Sequence, residues 1–348
     1  MNRIPVGVLG ATGAVGQRFV QLLAGHPWFE VTAVAGSERS AGRPYGEACR
    51  WVIGGDPPPE VAALTVQPLE PGLPARLVFS ALPGSVARDV EESFARAGYA
   101  VCSNAAACRQ DPSIPLLCPE VNAGHLALVR RQQAERGWPG FIVTSPNCTT
   151  TGIVLPLKPL DEAFGLERVQ AVSMQATSGA GYPGVASLDI LGNVVPYIDG
   201  EECKIEQETV LLLGRLVDGR REPAAVAVSA QANRVPVLDG HTTCLSLGFR
   251  RPPAVEEAVA ALEAFRGPEV VRGLPSAPER PVVVRREPDR PQPQRDRDAG
   301  GGMAVSVGRV RPCPLLDLRL VSVSHNTLRG AAGGAVLNAE LLVAEGLV

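Results

Sequence analysis

Through the first 150 positions, short apolar runs alternate with longer stretches in which apolar residues return every three or four places. Ile4 to Leu9 is such a run and leads into glycine, Ala14 to Leu23 has helical spacing, and Val31 to Ala35 is a second apolar run; together they predict a βαβ unit. The pattern continues with a predicted strand at Leu77–Ala81, a helix at Val86–Ala97, and strands at Tyr99–Ser103 and Phe141–Thr144. Strands alternating with helices predict an α/β fold with a parallel sheet. From about residue 150 the period changes. "RVQAVSMQATSGAG", "AVAVSAQANRVPVLDGHTTCLSLGFR" and "PLLDLRLVSVSHNTL" alternate apolar with small or polar residues, which predicts a mixed or antiparallel sheet covered on one face. Residues 285–302, rich in Pro, Arg and Asp, read as an exposed loop or arm between its strands. Leu328 to Leu342 reads as a last helix with small residues at its start. No internal repeat is visible.

From the first strand through its turn into the helix fall Gly7, Gly10, Gly13 and Gly16, one at every third position. Glycines there remove side chains where a pyrophosphate would approach a helix N-terminus. The spacing is GxxGxxG rather than the plain GxGxxG fingerprint, but the flanking strand and helix are those a dinucleotide site requires. After the second strand come Ser37, Glu38, Arg39 and Ser40 in place of a single acidic residue. Two hydroxyls and a guanidinium suit a 2′-phosphate, hence NADP, while Glu38 keeps NAD open.

Composition narrows the field further. A chain of 348 residues, 45% hydrophobic with a formal charge of −3, is long enough for two cores and nearly balanced in charge. No run reaches the ~18 apolar residues of a membrane span, and Met1 leads straight into a strand-like segment without signal-peptide architecture, so the expectation is a cytoplasmic protein. The eight cysteines (49, 102, 108, 118, 148, 203, 244 and 313) form no CxxC pair and are expected reduced. His26, His125, His241 and His325 are too scattered for metal-ligand spacing, so no metal is expected. The mixed charges of the 285–302 arm, with no aromatics among them, speak for a solvated connection over a nucleic-acid patch. Of 33 basic residues only Lys158 and Lys204 are lysines, which marks them as places where a compact charge matters.

"SPNCTT" puts Cys148 at the carboxyl end of a predicted strand and the start of a predicted helix, where open α/β sheets place ligands. Unpaired amides and the positive helix end are expected to lower its pKa and favour thiolate. Pro156 is expected to kink the helix, since it cannot donate to the Gly152 carbonyl.

Five blocks, "GATGAVGQRF", "SPNCTT", "MQATSGAGYPG", "NRVPVLDGHT" and "NTLRGAAGGAVLNAELL", in this order from Gly7 to about Leu342, resemble the aspartate-β-semialdehyde dehydrogenase family in the variant typical of archaea and fungi. The resemblance implies a Rossmann-like NADP-binding domain from residues 1–149 plus 328–348, and an α+β catalytic and dimerisation domain with a mixed sheet from 150–327. It implies that Cys148 is the nucleophile, with Asn147 its neighbour, Gln175 holding the reacting carbonyl and His241 the acid/base. It further implies that Arg234 grips the substrate α-carboxylate, Glu201 (or Glu202) meets the α-ammonium, and Arg109 with Lys204 receives phosphate. Cofactor contacts are implied at Gly10, Thr12, Gly13, Ala14, Val15, Ser37, Arg39, Ser40, Ser80, Ala81, Ser178, Gly179 and Asn326. The implied activity is NADPH-dependent reduction of L-aspartyl-4-phosphate to aspartate-4-semialdehyde and phosphate. That step feeds lysine (through diaminopimelate), methionine and threonine biosynthesis, in a homodimer or homotetramer.

The chemistry is coherent in itself. A thiolate displaces phosphate from an acyl phosphate, and the resulting thioester accepts hydride where a carboxylate does so poorly. His241 is expected to take the cysteine proton, a role usually worth ~10²–10⁴-fold. The amides that follow Cys148 are expected to hold the oxyanion. Reductases of N-acetylglutamyl phosphate or malonyl-CoA share these features, but neither substrate calls for the full set of Glu201, Arg109 and Lys204. A cysteine hydrolase leaves the glycine turn unexplained, and a non-catalytic regulator leaves Cys148 without a role.

Overall fold

The computed structural model describes residues 3–348. Five strands, β1 (Ile4–Leu9), β2 (Phe29–Ala35), β3 (Leu77–Ser80), β4 (Ala100–Ser103) and β5 (Phe141–Thr144), form a parallel sheet in the order β2-β1-β3-β4-β5. Every residue of β3, β4 and β5 is buried, as expected of parallel strands covered on both faces. The strand order reverses at β1, which opens a crevice beyond the carboxyl ends of β1 and β3. Gly10 turns the chain there with φ +73°, and a Cβ on it would lie 2.8 Å from the Ala81 carbonyl oxygen. Gly16 lets the helix Ala14–Leu23 sit against that turn, because a Cβ at Gly16 would meet the Gly10 oxygen at 2.2 Å.

The second sheet is mixed. Its strands are β6 (Leu166–Gln175), β9 (Ala227–Arg234), β10 (His241–Phe249), β11 (Val282–Arg285), β12 (Val305–Pro312) and β13 (Leu318–Ser324), in the order β11-β12-β13-β10-β6-β9. A small hairpin, β7 (Arg215–Val217) with β8 (Arg220–Glu222), stands apart from it. Register decides where its chemistry gathers. Gln175 pairs with Arg234 at the shared end of β6 and β9, Thr242 of β10 pairs with Met174, and His241 opposes Ser324 at the end of β13. Four strand ends therefore share one edge.

The helix Cys148–Phe164 links the two halves. It starts where β5 ends, runs through Pro156 and Pro159, and stops at Gly165 in the left-handed region (φ +71°). Its Ile153, Val154, Leu157 and Leu160 are buried in the core beneath the second sheet with Leu245, Leu247 and Leu320. The final helix, Gly333–Ala344, returns to the first core and packs with Val6, Val8 and Phe19.

The segment 285–302, expected as an exposed arm, is tied down instead. Asp296 is fully buried and ion-paired with Arg285 (2.8 Å) and Arg290, and it accepts from the Gln292 amide (2.6 Å). A buried carboxylate needs partners, and the arginines that made this stretch look solvated are those partners.

Candidate active site

Asn147 caps the helix that begins at Cys148: its Oδ1 accepts from the amides of Thr149 (2.8 Å) and Thr150 (3.1 Å). Its Nδ2 donates to Glu201 Oε1 (2.8 Å), which also receives Gln175 Nε2 (3.1 Å) from the end of β6. Glu201 opens the helix Glu201–Leu213, and Lys204, one turn on, stands 3.7 Å from its other oxygen with 38% of its side chain exposed. Glu202 points elsewhere, accepting from the Ala232 amide on β9 (3.0 Å). Cys148 Sγ lies 3.2 Å from His241 Nε2, and His241 Nδ1 accepts from the Ala176 amide at 3.0 Å. Arg234 donates to the Ala176 carbonyl (2.8 Å). Arg109 is buried, donating to Glu208 Oε1 (2.9 Å) and the Asn104 carbonyl (2.7 Å).

The electrostatics overturn the expected thiolate. Burial, reinforced by the negative charge of Glu201, pushes the Cys148 thiol up to about 12. Burial, with Arg234 and His325 nearby, pushes His241 down to about 3. The resting pair is thus neutral thiol and neutral imidazole. The Thr149 amide and hydroxyl and the Arg109 charge pull the thiol the other way, but burial outweighs them.

Four features escaped the sequence. Glu208 accepts the Asn147 amide (2.5 Å) as well as Arg109; its signal was its place two helical turns beyond Glu201, on one face with Lys204. Burial raises its pKa, opposed by Arg109. The Ala176 amide, being backbone, left no signal. Gly330 lies in a π-type turn, Leu328–Ala332, where a Cβ would come within 2.6 Å of Cys148 Cβ. Beside it the fully buried Arg329 pairs with Glu120 (2.6 Å).

Of the implied cofactor positions, Ala14 and Ser178 line one cavity. Gly13 begins its helix without a capping side chain, which leaves the amides of Ala14 and Val15 to an incoming anion. Thr12 contributes its carbonyl to Gln17 Nε2 (2.9 Å). Ser37, Glu38 and Arg39 are exposed beyond β2. Ser40 is buried and its hydroxyl donates to the Ser37 carbonyl (2.9 Å), and the buried Ser80 hydroxyl donates to Glu91 (2.6 Å), so each already has a partner within the protein. Asn326 donates to Ser178 Oγ (2.8 Å) and accepts from the Gly240 amide (2.9 Å), while a Cβ on Gly179 would crowd Arg234 and His241. A cavity of about 650 Å³ lined by Ala14, Arg18, Ser178, Leu238, Asp239 and Thr327 joins the glycine turn to this end of the site. Among the described residues, no group of three or more His, Cys, Asp or Glu is arranged to hold a metal, and no helix is long and apolar enough to cross a membrane.

A parallel sheet with a glycine turn is thus coupled to a thiol–imidazole pair at the edge of a mixed sheet. Residues 5–129 match the family model for the NAD-binding domain of semialdehyde dehydrogenases, and residues 157–329 match the model for their dimerisation domain. The chain is 50% identical to the aspartate-semialdehyde dehydrogenase of Archaeoglobus fulgidus over 99% of its length and 100% of that protein's. A crystal structure of the Candida albicans aspartate-semialdehyde dehydrogenase with NADP superposes with a TM-score of 0.91 at 44% identity, covering 99% of this chain and 100% of that one. A malonyl CoA reductase (NADP) of Metallosphaera sedula is 41% identical, over 98% of this chain and 97% of its own. The chain belongs to the aspartate-semialdehyde dehydrogenase family.

Proposed function

We propose that the protein reduces L-aspartyl-4-phosphate to aspartate-4-semialdehyde and phosphate with NADPH, through a thioester on Cys148. The observation that carries this reading is the set of groups around the Cys148–His241 pair: two carboxylates, Glu201 and the Glu208 that pairs with Arg109, and three cations, Arg234, Arg109 and Lys204. That charge pattern suits a substrate with an ammonium, an α-carboxylate and a phosphate. Malonyl-CoA has no ammonium for Glu201, and an N-acetylated substrate has none either.

The residues fit a dinucleotide, since the Gly10 turn leaves no room for a side chain and the uncapped helix start offers amides to its pyrophosphate. Ser37 and Arg39 would meet the 2′-phosphate, and Gly179, lacking a side chain, lets its turn lie against Arg234 and His241 where the nicotinamide would reach the thiol. Bound there, the cofactor supplies the hydride that reduces the thioester. The protein's own part is to bind and orient the substrate: Arg234 holds the α-carboxylate, Glu201 the ammonium, and Arg109 with Lys204 the phosphate. Residues 1–149 with 328–348 form the cofactor half and 150–327 the catalytic half. Two or four copies assemble through the second sheet, in the cytoplasm, where the eight free cysteines stay reduced.

The test is the reverse reaction: appearance of NADPH from NADP, aspartate semialdehyde and phosphate, with N-acetylglutamate semialdehyde and malonate semialdehyde plus CoA as rival substrates. Turnover confined to aspartate semialdehyde and abolished by Cys148→Ser is expected. A rival used as well as aspartate semialdehyde would refute the assignment.

A further inference from the structure

Of the two lysines in the chain, Lys204 stands at the catalytic site and Lys158 does not. Lys158 lies ten residues after Cys148 on the same helix, about 15 Å further along it at a rise of about 1.5 Å per residue. There it borders a cavity of about 540 Å³ between the second half of this helix and the end of another, Val255–Ala264. Pro159, Phe265 and Pro268 give the cavity apolar surface, and Lys158, Arg266 and Arg272 give it charge.

Those charges do not cancel within the protein. Lys158 faces Glu162 (3.2 Å), and the buried Glu120 in the cavity wall is matched by Arg329 (2.6 Å). Among the described residues, no carboxylate forms an ion pair with Arg266 or Arg272, which leaves two positive charges in one concave place. Both guanidiniums are already held in position by carbonyl oxygens. Arg266 donates to those of Glu263 (2.7 Å) and Phe265 (2.8 Å), and Arg272 donates twice to that of Gly267 (2.9 and 3.1 Å). The loop that carries them is packed down hard: Gly267 has φ +69°, and a Cβ there would lie 3.0 Å from Glu120 Cβ. Guanidinium forks fixed in this way suit the oxygens of a phosphate or a carboxylate. The volume falls in the ~300–1,000 Å³ range of sites for organic ligands, so a bare inorganic ion would leave the apolar surface uncovered.

We propose that this cavity binds a small organic dianion, a phosphate monoester or a dicarboxylate with an apolar body, at a site separate from the catalytic one. The anionic end meets Arg266 and Arg272 with Lys158 beside them, and the body lies on Phe265 and Pro268. The phosphate cations proposed for catalysis, Arg109 and Lys204, belong to other elements, so the two sites do not share a charged group.

Isothermal titration calorimetry on the full chain with NADP present tests this, with phenyl phosphate and phthalate as the two kinds of dianion, benzenesulfonate as a monoanion and phenol as the uncharged ring. Saturable binding of phenyl phosphate, phthalate or both is expected, with the tighter of the two naming the ligand class. Benzenesulfonate should bind at least ~10-fold more weakly and phenol not measurably. Arg272 is exposed, so Arg272→Gln should leave the urea unfolding curve in place while weakening the dianion about 10-fold or more, the effect of one lost charge-assisted contact. Lys158→Gln should weaken it in the same direction. Absence of saturable dianion binding would overturn the proposal, as would phenol binding as tightly as phenyl phosphate, which would make the cavity a merely apolar groove. Equal affinity in wild type and Arg272→Gln would place the probe at Arg109 and Lys204 and would equally overturn it. Binding is read without turnover, so failure here leaves the proposed reaction untouched, and failure of that reaction leaves this site untouched.

Discussion

Adding one methyl group at Gly330 would place it 2.6 Å from Cys148 Cβ, closer than carbon atoms pack, and the neighbouring atom is the one that carries the nucleophile. Gly330→Ala should therefore fold and bind cofactor but lose about 10²-fold in kcat, the order of effect a displacement near 1 Å has on a reacting group. Near-normal kcat would show that the turn yields instead. Glu208 acts one step further out, holding both Arg109 and the amide of Asn147. Glu208→Gln keeps the shape but removes the charge facing Arg109; with a charge-assisted bond worth ~1.5–3 kcal/mol, kcat/KM should fall about 10- to 100-fold. The loss should appear chiefly in the KM for phosphate in the reverse direction; an unchanged KM would detach Glu208 from the phosphate site. Cys148, Asn147 and His241 stood out because they lie in short, chemically distinctive blocks, whereas Glu201, outside those blocks, came from the resemblance alone. Gly330 was not, since a glycine needed for closeness to another chain segment looks like any glycine in a small-residue run. The thiol's charge state was misread because a helix start promises stabilising amides, and only the structure shows that burial and Glu201 outweigh them.

At the scale of elements, alternating periods marked the strands and helices because burial on two faces leaves apolar runs and burial on one leaves alternation. The same reasoning failed at 285–302, where Pro, Arg and Asp suggested solvent and the arginines instead enclose Asp296. A charge pattern in sequence does not say whether opposite charges face water or one another. Asp296→Asn would strip the counter-charge from Arg285 and Arg290, and breaking a buried pair from one side typically costs ~3–5 kcal/mol. Urea unfolding at neutral pH should show a loss of that order, with proteolytic cleavage appearing within 285–302. The pH dependence follows from the direction of the shift. Burial alone would raise the Asp296 carboxyl, but Arg290, the Gln292 amide and Arg285 together hold it below its ordinary value. A lowered folded-state pKa means stability that is present above the unfolded value of about 3.9 and lost as pH falls through the folded one. The gap between wild type and Asp296→Asn should accordingly narrow below about pH 4; a gap constant down to pH 2 would mean that the carboxylate's charge is not what anchors this segment.

The whole molecule is two sheets whose chains are threaded through each other's cores. The helix Cys148–Phe164 leaves the first sheet carrying the nucleophile and buries its body under the second, while the last helix, Gly333–Ala344, comes back to fill the first core. Each half thus depends on a segment adjoining the other, and the site lies where the two crossings meet: Cys148 on one, Gly330 just ahead of the other. Separate packing would let the halves drift and would pull Sγ away from His241 Nε2. This predicts that the halves unfold together. Trp28, Trp51 and Trp138 all lie in the parallel-sheet half, so tryptophan fluorescence reports that half alone, whereas far-ultraviolet circular dichroism reports both. In urea the two signals should trace one transition. Leu337→Ala, which empties a fully buried position of the returning helix, should cost ~2–5 kcal/mol and move both curves by the same amount. If the fluorescence curve alone moved, leaving dichroism with a second, unshifted transition, the second sheet would be stable without the first, and the alignment of thiol and imidazole would owe nothing to the exchange of helices.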